Sequence, residues 1–418
     1  MDLFAGIGLS ERSITLIILF ALVGSFLLDL ISNYLNIGHL TPTLPKEFSD
    51  SCDPDDYKKS QRYLKTNTRF GLVTTSLDRV LLLGFWFLGG FAALDKLING
   101  LNHHYIVSGL LFMGGLVGLR WLIFFPFKIY ATFHIEEKFG FNTYTPGLFL
   151  KDTLRSMALS IGFGIPLMGL IIWVFNALGP WAWLHGWAIS SVLILALQFI
   201  IPTWIMPLFN TFTPLEDGPL EKAIFAYARS IDFPLSQVFV MDGSKRSTKS
   251  NAFFTGFGAT KRIVLFDTLI QRHTTEELVA VLAHEMGHYK KRHILKRMVL
   301  AILHMGIIFF LLSLCLSQEG LFSAFGTQPS IHTGLIFFGL LMTPVDIVVS
   351  LFFQAASRRD EYEADAFAAE TTGTGDHLIS ALKKLSAHNL SNLTPHPLYV
   401  FLNYSHPPVL DRIRALTR

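Results

Sequence analysis

Apolar and polar residues fall along this chain in long blocks rather than at the short period of a soluble amphipathic element. A bilayer core of about 30 Å takes about 20 mostly apolar residues per helix. Seven runs approach or meet that length, near 13–35, 77–94, 105–127, 156–178, 181–205, 298–316 and 335–356. The second and sixth are shorter than the rest. Trp181, Trp183, Trp187 and Trp204 flank the fifth run as an interfacial belt would. Two polar stretches, 207–297 and 357–418, leave room for a water-exposed fold. The first opens with Pro207, Pro214 and Pro219 and then reads as a helix over 221–230. Short strands are expected at 238–241, 251–257 and 262–266, with a turn at Gly256-Phe257-Gly258.

Positive charge sets the expected orientation. Lys58, Lys59, Arg62, Lys65 and Arg69 lie between the first two runs, and Lys128, Lys138 and Lys151 between the third and fourth. The stretch after the fifth run adds Lys245, Arg246, Lys249, Lys290, Lys291 and Arg292, whereas 317–334 has neither Lys nor Arg. By the positive-inside rule the N-terminus is outside and the C-terminus cytoplasmic. Met1-Asp2-Leu3 offers no basic start and the first run is too long for a cleaved signal, so it is expected to stay as a span.

Composition sharpens this picture. Charged residues make up 16% of the chain, against roughly 25% in soluble domains, which points to lipid as a solvent. The net charge of +3 gives no footprint for nucleic acid, and no nucleic-acid partner is expected. Cys52 and Cys315 are far apart and build neither a disulfide framework nor a thiolate metal site. Any metal must be held by histidine and carboxylate.

His284-Glu285-Met286-Gly287-His288 supplies the first of these. Thr274 and Glu277 form a capping box ahead of it, and Leu278, Val281 and Leu282 follow at helical spacing. Residues four apart share a helix face, so His284 and His288 can reach one ion, and Glu285 is carried beside it to bind water rather than metal. A catalytic zinc wants a third protein ligand and an open position. The charged run from Ser357 to Asp365 offers Glu361 and Asp365 on one face, one to ligate and the other to orient a ligating histidine.

With these residues in view, the chain resembles the type I CAAX prenyl protease family, integral-membrane zinc endopeptidases of the gluzincin group. The resemblance is carried by the His284–His288 motif and four other segments. They are 133–142 (FHIEEKFGFN), 242–254, 262–269 and the C-terminal Tyr404-Ser405-His406-Pro407-Pro408-Val409-Leu410-Asp411-Arg412. It implies one Zn2+ per chain on His284, His288 and Glu361, with Glu285 as general base. It places His406 and Arg412 toward the site, where they steady the oxyanion and the substrate backbone. Asn251 and Ala252 would belong to an edge strand that grips the peptide. The implied fold is a mainly α polytopic membrane protein whose roughly seven helices enclose a chamber, with a cytoplasmic zinc-metalloprotease domain containing a small β-sheet. The expected divisions are 1–206 for spans one to five, 207–297 for edge strand and zinc helix, 298–356 for spans six and seven, and 357–418 for the third ligand.

The expected partners are a peptide or protein substrate, lipidated or not, and membrane lipid; the expected state is a monomer. Short loops lean the reading toward a bacterial member in the inner membrane, or the endoplasmic reticulum if the chain is eukaryotic. His293 reads as part of a basic, membrane-facing collar, and neither it nor His103, His104, His134 or His304 is assigned to the metal. Asp29, Arg120 and Asp346 fall in or at the ends of apolar runs, where charge usually faces protein or water. Three rival readings stand beside this one. A site-2-type protease would bury its motif in an apolar span, whereas Tyr289-Lys290-Lys291-Arg292-His293 follows here. A heat-shock-type protease would have fewer spans. A transporter or scaffold with a structural zinc would need a fourth protein ligand.

Overall fold

The computed structural model describes residues 10–255 and 261–418; the chain start and the turn expected at Gly256-Phe257-Gly258 lie outside them. Among the described residues, seven helices are long and apolar enough to cross a membrane. They are built on α1 (Glu11–Gly38), α2 (Pro54–Phe87), α4 (Tyr105–Tyr130), α5 (Pro146–Ala177), α6 (Ala182–Ile200), α9 (His293–Cys315) and α10 (Ile331–Thr372), with the short α3 (Gly90–Asn99) after α2. Their starts are chemically marked. The side chains of Ser10, Thr145 and Ser330 each accept a backbone N–H from the first turn of α1, α5 and α10. Large apolar side chains such as Phe20, Leu88 and Phe352 stay exposed, as they do on helices whose outer solvent is lipid.

One expected span is corrected. The run 77–94 is not a single helix, because α2 ends at Phe87 and Gly89 turns the chain at φ +75° before α3 begins. A side chain there would meet the left-handed penalty that glycine escapes. The membrane-crossing part of α2, a helix that begins at Pro54, instead uses the weaker apolar stretch before Phe87. The seventh run grows the other way. At 42 residues α10 is about 63 Å long at 1.5 Å per residue, twice a bilayer core. Its second half leaves the apolar layer and carries Glu361 and Asp365 into the polar domain.

That domain contains a four-stranded sheet, β1 (Phe212–Pro214), β2 (Leu235–Met241), β3 (Ala252–Thr255) and β4 (Lys261–Phe266), in the order β1-β2-β4-β3. β2 and β4 are parallel and the outer pairs antiparallel. β3 is therefore an edge with one side paired. Of the strands, β1 was not expected, since Pro214 within it removes a donor; an edge tolerates that loss. Helices α7 (Pro219–Ser230), α8 (Thr275–Lys290), α11 (Asp376–His388), α12 (Pro397–Asn403) and α13 (Val409–Leu416) complete the fold. The sheet's Ile263 and Leu265 pack with Leu278, Leu282 and Met286 of α8 and Leu378 and Ala381 of α11 in one buried cluster.

The capping box forms as expected: the Glu277 N–H donates to Thr274 Oγ1 at 3.3 Å and the Thr274 N–H to Glu277 Oε2 at 3.0 Å. Glu277 also accepts from Ser380 Oγ at 2.6 Å and Lys384 Nζ at 2.8 Å, fastening α8 to α11. Burial alone would raise this carboxyl, but Lys384, Ser380 and the Thr274 N–H outweigh it and hold it below its usual value. A depressed folded pKa gives stability that is present above the unfolded value and lost as pH falls through the folded one. Glu277→Gln should cost about 2 kcal/mol near neutral pH, read as a lower melting temperature, and the gap to the parent protein should close in acid. A gap that persists unchanged below pH 3 would show the carboxylate charge to be irrelevant.

Candidate metal centre and active site

Helix α8 presents His284 and His288 toward α10, and Gly287 between them lets the helices meet. A Cβ at Gly287 would stand 3.1 Å from the Phe367 ring and 3.2 Å from the Ala364 Cα. That approach puts Glu361 opposite both imidazoles. His284 Nε2 and His288 Nε2 are 3.2 Å apart, His284 Nε2 lies 3.4 Å from Glu361 Oε2, and His288 Nε2 lies 3.3 Å from Glu361 Oε1. Zinc bonds of about 2.0–2.1 Å to nitrogen in tetrahedral geometry separate neighbouring ligand atoms by about 3.3 Å. The two imidazole nitrogens have that spacing from each other, and each has it from one of the two Glu361 oxygens.

Proton placement strengthens the fit. Asp365 Oδ1 lies 2.8 Å from His284 Nδ1, so the ring proton belongs on Nδ1 and Nε2 keeps its lone pair. Asp365 is itself gripped from its far side by Arg412, through Nη2 at 2.6 Å and Nε at 2.8 Å. On the other ring, His288 Nδ1 lies 3.0 Å from His293 Nδ1. The fully buried His293 ring in turn places Nε2 3.2 Å from Glu363 Oε2 and 3.6 Å from Asp360 Oδ1. With Nε2–H donated to Glu363, His293 Nδ1 accepts from His288, whose Nε2 is then also unprotonated. Two lone pairs 3.2 Å apart repel unless a cation sits between them.

His293, fully buried, is thus no part of a basic, membrane-facing collar. It begins α9 after Arg292 turns the chain at φ +58°, and it buttresses His288. Asp360 and Glu363, which flank Glu361 on neighbouring faces of α10, were equally missed. Their one sequence signal is position, since residues one before and two after a candidate ligand on a helix face what lies beside it. His293, Asp360 and Glu363 are themselves close enough to hold an ion. However, Arg297 donates to Asp360 at 2.9 Å and Arg359 to Glu363 at 3.0 Å, so the acidic charge is already balanced.

The remaining expected residues fall around this centre. His406 Nδ1 is 2.8 Å from Glu361 Oε2 while its side chain remains 65% exposed, close to the centre yet reachable from outside. Arg412 is committed to Asp365, with Nη1 3.6 Å from Glu361 Oε2. Glu285 makes no hydrogen bond or ion pair among the described residues. Burial raises its carboxyl above the usual range, against the lowering influence of His284 and His288. Ala252 is buried against α8 within the same apolar cluster, and Asn251 is exposed at the head of β3.

A histidine pair and a carboxylate on crossed helices, beside a free carboxylate and beneath seven apolar helices, define a membrane zinc metalloprotease. Comparison with known sequences gives its family. Residues 33–211 match "CAAX prenyl protease N-terminal, five membrane helices" and residues 214–418 match "Peptidase family M48". A CAAX prenyl protease 1 homolog of Arabidopsis thaliana is 38% identical, over 92% of this chain and 93% of its own. CAAX prenyl protease 1 of Saccharomyces cerevisiae is 35% identical, over 89% and 88%. The crystal structure of S. mikatae Ste24p superposes with a TM-score of 0.90 at 34% identity, covering 96% of this chain and 98% of that one. The chain belongs to peptidase family M48, among the CAAX prenyl proteases.

Proposed function

We propose that this protein hydrolyses peptide bonds at one zinc ion held by His284, His288 and Glu361, and that its substrates include the prenylated CAAX tails for which its relatives are named. The observation that carries this reading is the triangle of two imidazole nitrogens and a carboxylate at zinc-ligand spacing. Bound there, zinc acts as a Lewis acid that makes water acidic enough to attack an amide at neutral pH. Glu285 accepts the attacking water's proton and returns it to the departing amine, a task suited to a carboxyl whose proton affinity burial has increased. Asp365 and Glu363, the latter through His293, hold the two histidines in one tautomer. Arg412 holds Asp365 and so acts as a positioning residue. His406, exposed and beside Glu361, donates to the oxyanion as the carbonyl becomes tetrahedral.

Substrate binding falls to the free side of β3. An extended peptide added there would pair its backbone with the strand, as in other β-augmented complexes, and lie along α8. Backbone pairing predicts tolerance of varied side chains and sensitivity to lost N–H groups. A quenched peptide ending in a prenylated CAAX tail should be cleaved in a chelator-sensitive reaction. Versions N-methylated one position at a time should lose roughly tenfold in kcat/KM at alternate positions, about 1.4 kcal/mol each. Uniform tolerance of methylation would reject the edge-strand role of Asn251 and Ala252.

The charge asymmetry supports a cytoplasmic position for the zinc domain and C-terminus. In a background with Cys52 and Cys315 changed to Ser, an impermeant thiol reagent should label Gln328→Cys only from outside. His377→Cys should be labelled only after the membrane is opened. The reverse pattern would invert the topology.

A further inference from the structure

Away from the zinc centre, five separated segments line an open cavity of 420 Å³. Its charged and imidazole lining is Lys59 from α2, Arg272 and His273 before α8, and Lys384 and His388 from α11, against the single acid Asp56. Lys384 is engaged by Glu277. Lys59 and Arg272 have no carboxylate within ion-pair distance among the described residues. His273 places Nδ1 3.0 Å from the Leu269 carbonyl, while its Nε2 is buried with no hydrogen-bond partner. His388 places Nε2 2.7 Å from the Thr248 carbonyl. Burial, with the positive field of Arg272, His273 and Lys59, keeps that ring below the usual histidine pKa. Half-buried Lys59 and exposed Arg272, neither with a carboxylate partner among the described residues, thus face one cavity beside an unsatisfied imidazole nitrogen.

We propose that this cavity binds a phosphate ester, with Lys59 and Arg272 as its charge partners and His273 Nε2, whose ring donates Nδ1–H to Leu269, as acceptor for a hydroxyl of the ester's alcohol part. Two cations match the roughly two negative charges of a phosphomonoester, and Arg adds a forked donor suited to phosphate oxygens. The volume is of the size that small-molecule pockets have, enough for a phosphorylated sugar or inositol ring beyond the phosphate itself. The site joins the two halves of the chain, since Lys59 belongs to the membrane half while the other basic groups belong to the peptidase half. It also abuts Thr248, which leads through Ser250 into β3. Occupancy would therefore stiffen the approach to the substrate edge. The inference does not depend on the zinc chemistry.

Two sources carry this chemistry, a lipid headgroup and a free phosphate ester, and calorimetry with the purified full chain separates them. Inositol 1,4,5-trisphosphate titrated into protein in detergent should bind, and Lys59→Gln with Arg272→Gln should weaken it at least tenfold. Lys58→Gln with Arg62→Gln, on the same helix but outside the cavity, should leave binding within twofold. In nanodiscs containing phosphatidylinositol 4-phosphate, apparent trisphosphate affinity should fall if the headgroup is the resident ligand and stay constant if the source is soluble. Either result supports the site. No binding, or equal weakening by both variant pairs, would overturn it.

Discussion

Glu285→Gln is expected to retain one zinc per chain and to lose about 10³-fold in kcat, the middle of the range for a positioned general acid–base. The substitution keeps the shape of the side chain and removes only its capacity to take and return a proton. It leaves the ligand triangle intact, because Glu285 makes no hydrogen bond or ion pair with His284, His288 or Glu361 among the described residues. The loss corresponds to about 4 kcal/mol of transition-state stabilisation. Metal analysis of the purified variant, followed by hydrolysis of a quenched peptide at saturating concentration, reads both halves of the prediction. Activity within tenfold of the parent protein would assign proton transfer to another group. Loss of the metal would show Glu285 to be part of the ligand set.

Which residues come together at this site was more legible than what surrounds them, and the reason is locality. His284, Glu285 and His288 lie within one turn of a helix, so their spacing alone states which side chains share a face. Glu361 and Asp365 obey the same rule on a second helix. The capping box at Thr274 and Glu277 is equally local, and it formed as the sequence implied. What the sequence hid depends on two elements meeting. His293 looks like one more basic residue after Lys290, Lys291 and Arg292, and only the turn at Arg292 folds it back beneath His288. Gly287 is unremarkable until Phe367 and Ala364 press against it. Hydrophobic runs were similarly clear as blocks and poor at their ends. The break at Gly89 sits inside an apolar stretch that hydropathy cannot divide, and α10 passes from lipid to water with no helix-breaking residue to mark the border.

Asp365→Asn should produce the second large effect, and it tests the centre through zinc affinity as well as rate. Asp365 does two jobs: it accepts the His284 Nδ1 proton at 2.8 Å and neutralises the nearly buried guanidinium of Arg412 at 2.6 Å. Asparagine keeps the volume and one acceptor but removes the charge. The imidazole loses the carboxylate that raises its basicity and fixes its tautomer, an interaction whose removal typically costs 10–100-fold in metal affinity or activity. Arg412 is simultaneously left as a buried cation whose remaining carboxylate partner is Glu361, 3.6 Å away, and competes with the metal for that ligand's charge. Both changes weaken zinc, so the expected loss lies toward the upper end of that range, about 10²-fold, measured by competition with a chelator of known affinity. Arg412→Met in the same chain should recover part of the loss, because the stranded charge disappears while the amide still holds the histidine. The double variant should therefore bind zinc more tightly than Asp365→Asn alone. His293→Phe, which removes the acceptor for His288 Nδ1 together with the donor to Glu363, should weaken zinc about tenfold and add to Asp365→Asn, since the two supports reach different ligands. Wild-type zinc affinity in Asp365→Asn, or no recovery on removing Arg412, would mean that the carboxylate is merely packed beside the centre and that the ligands are held by something else.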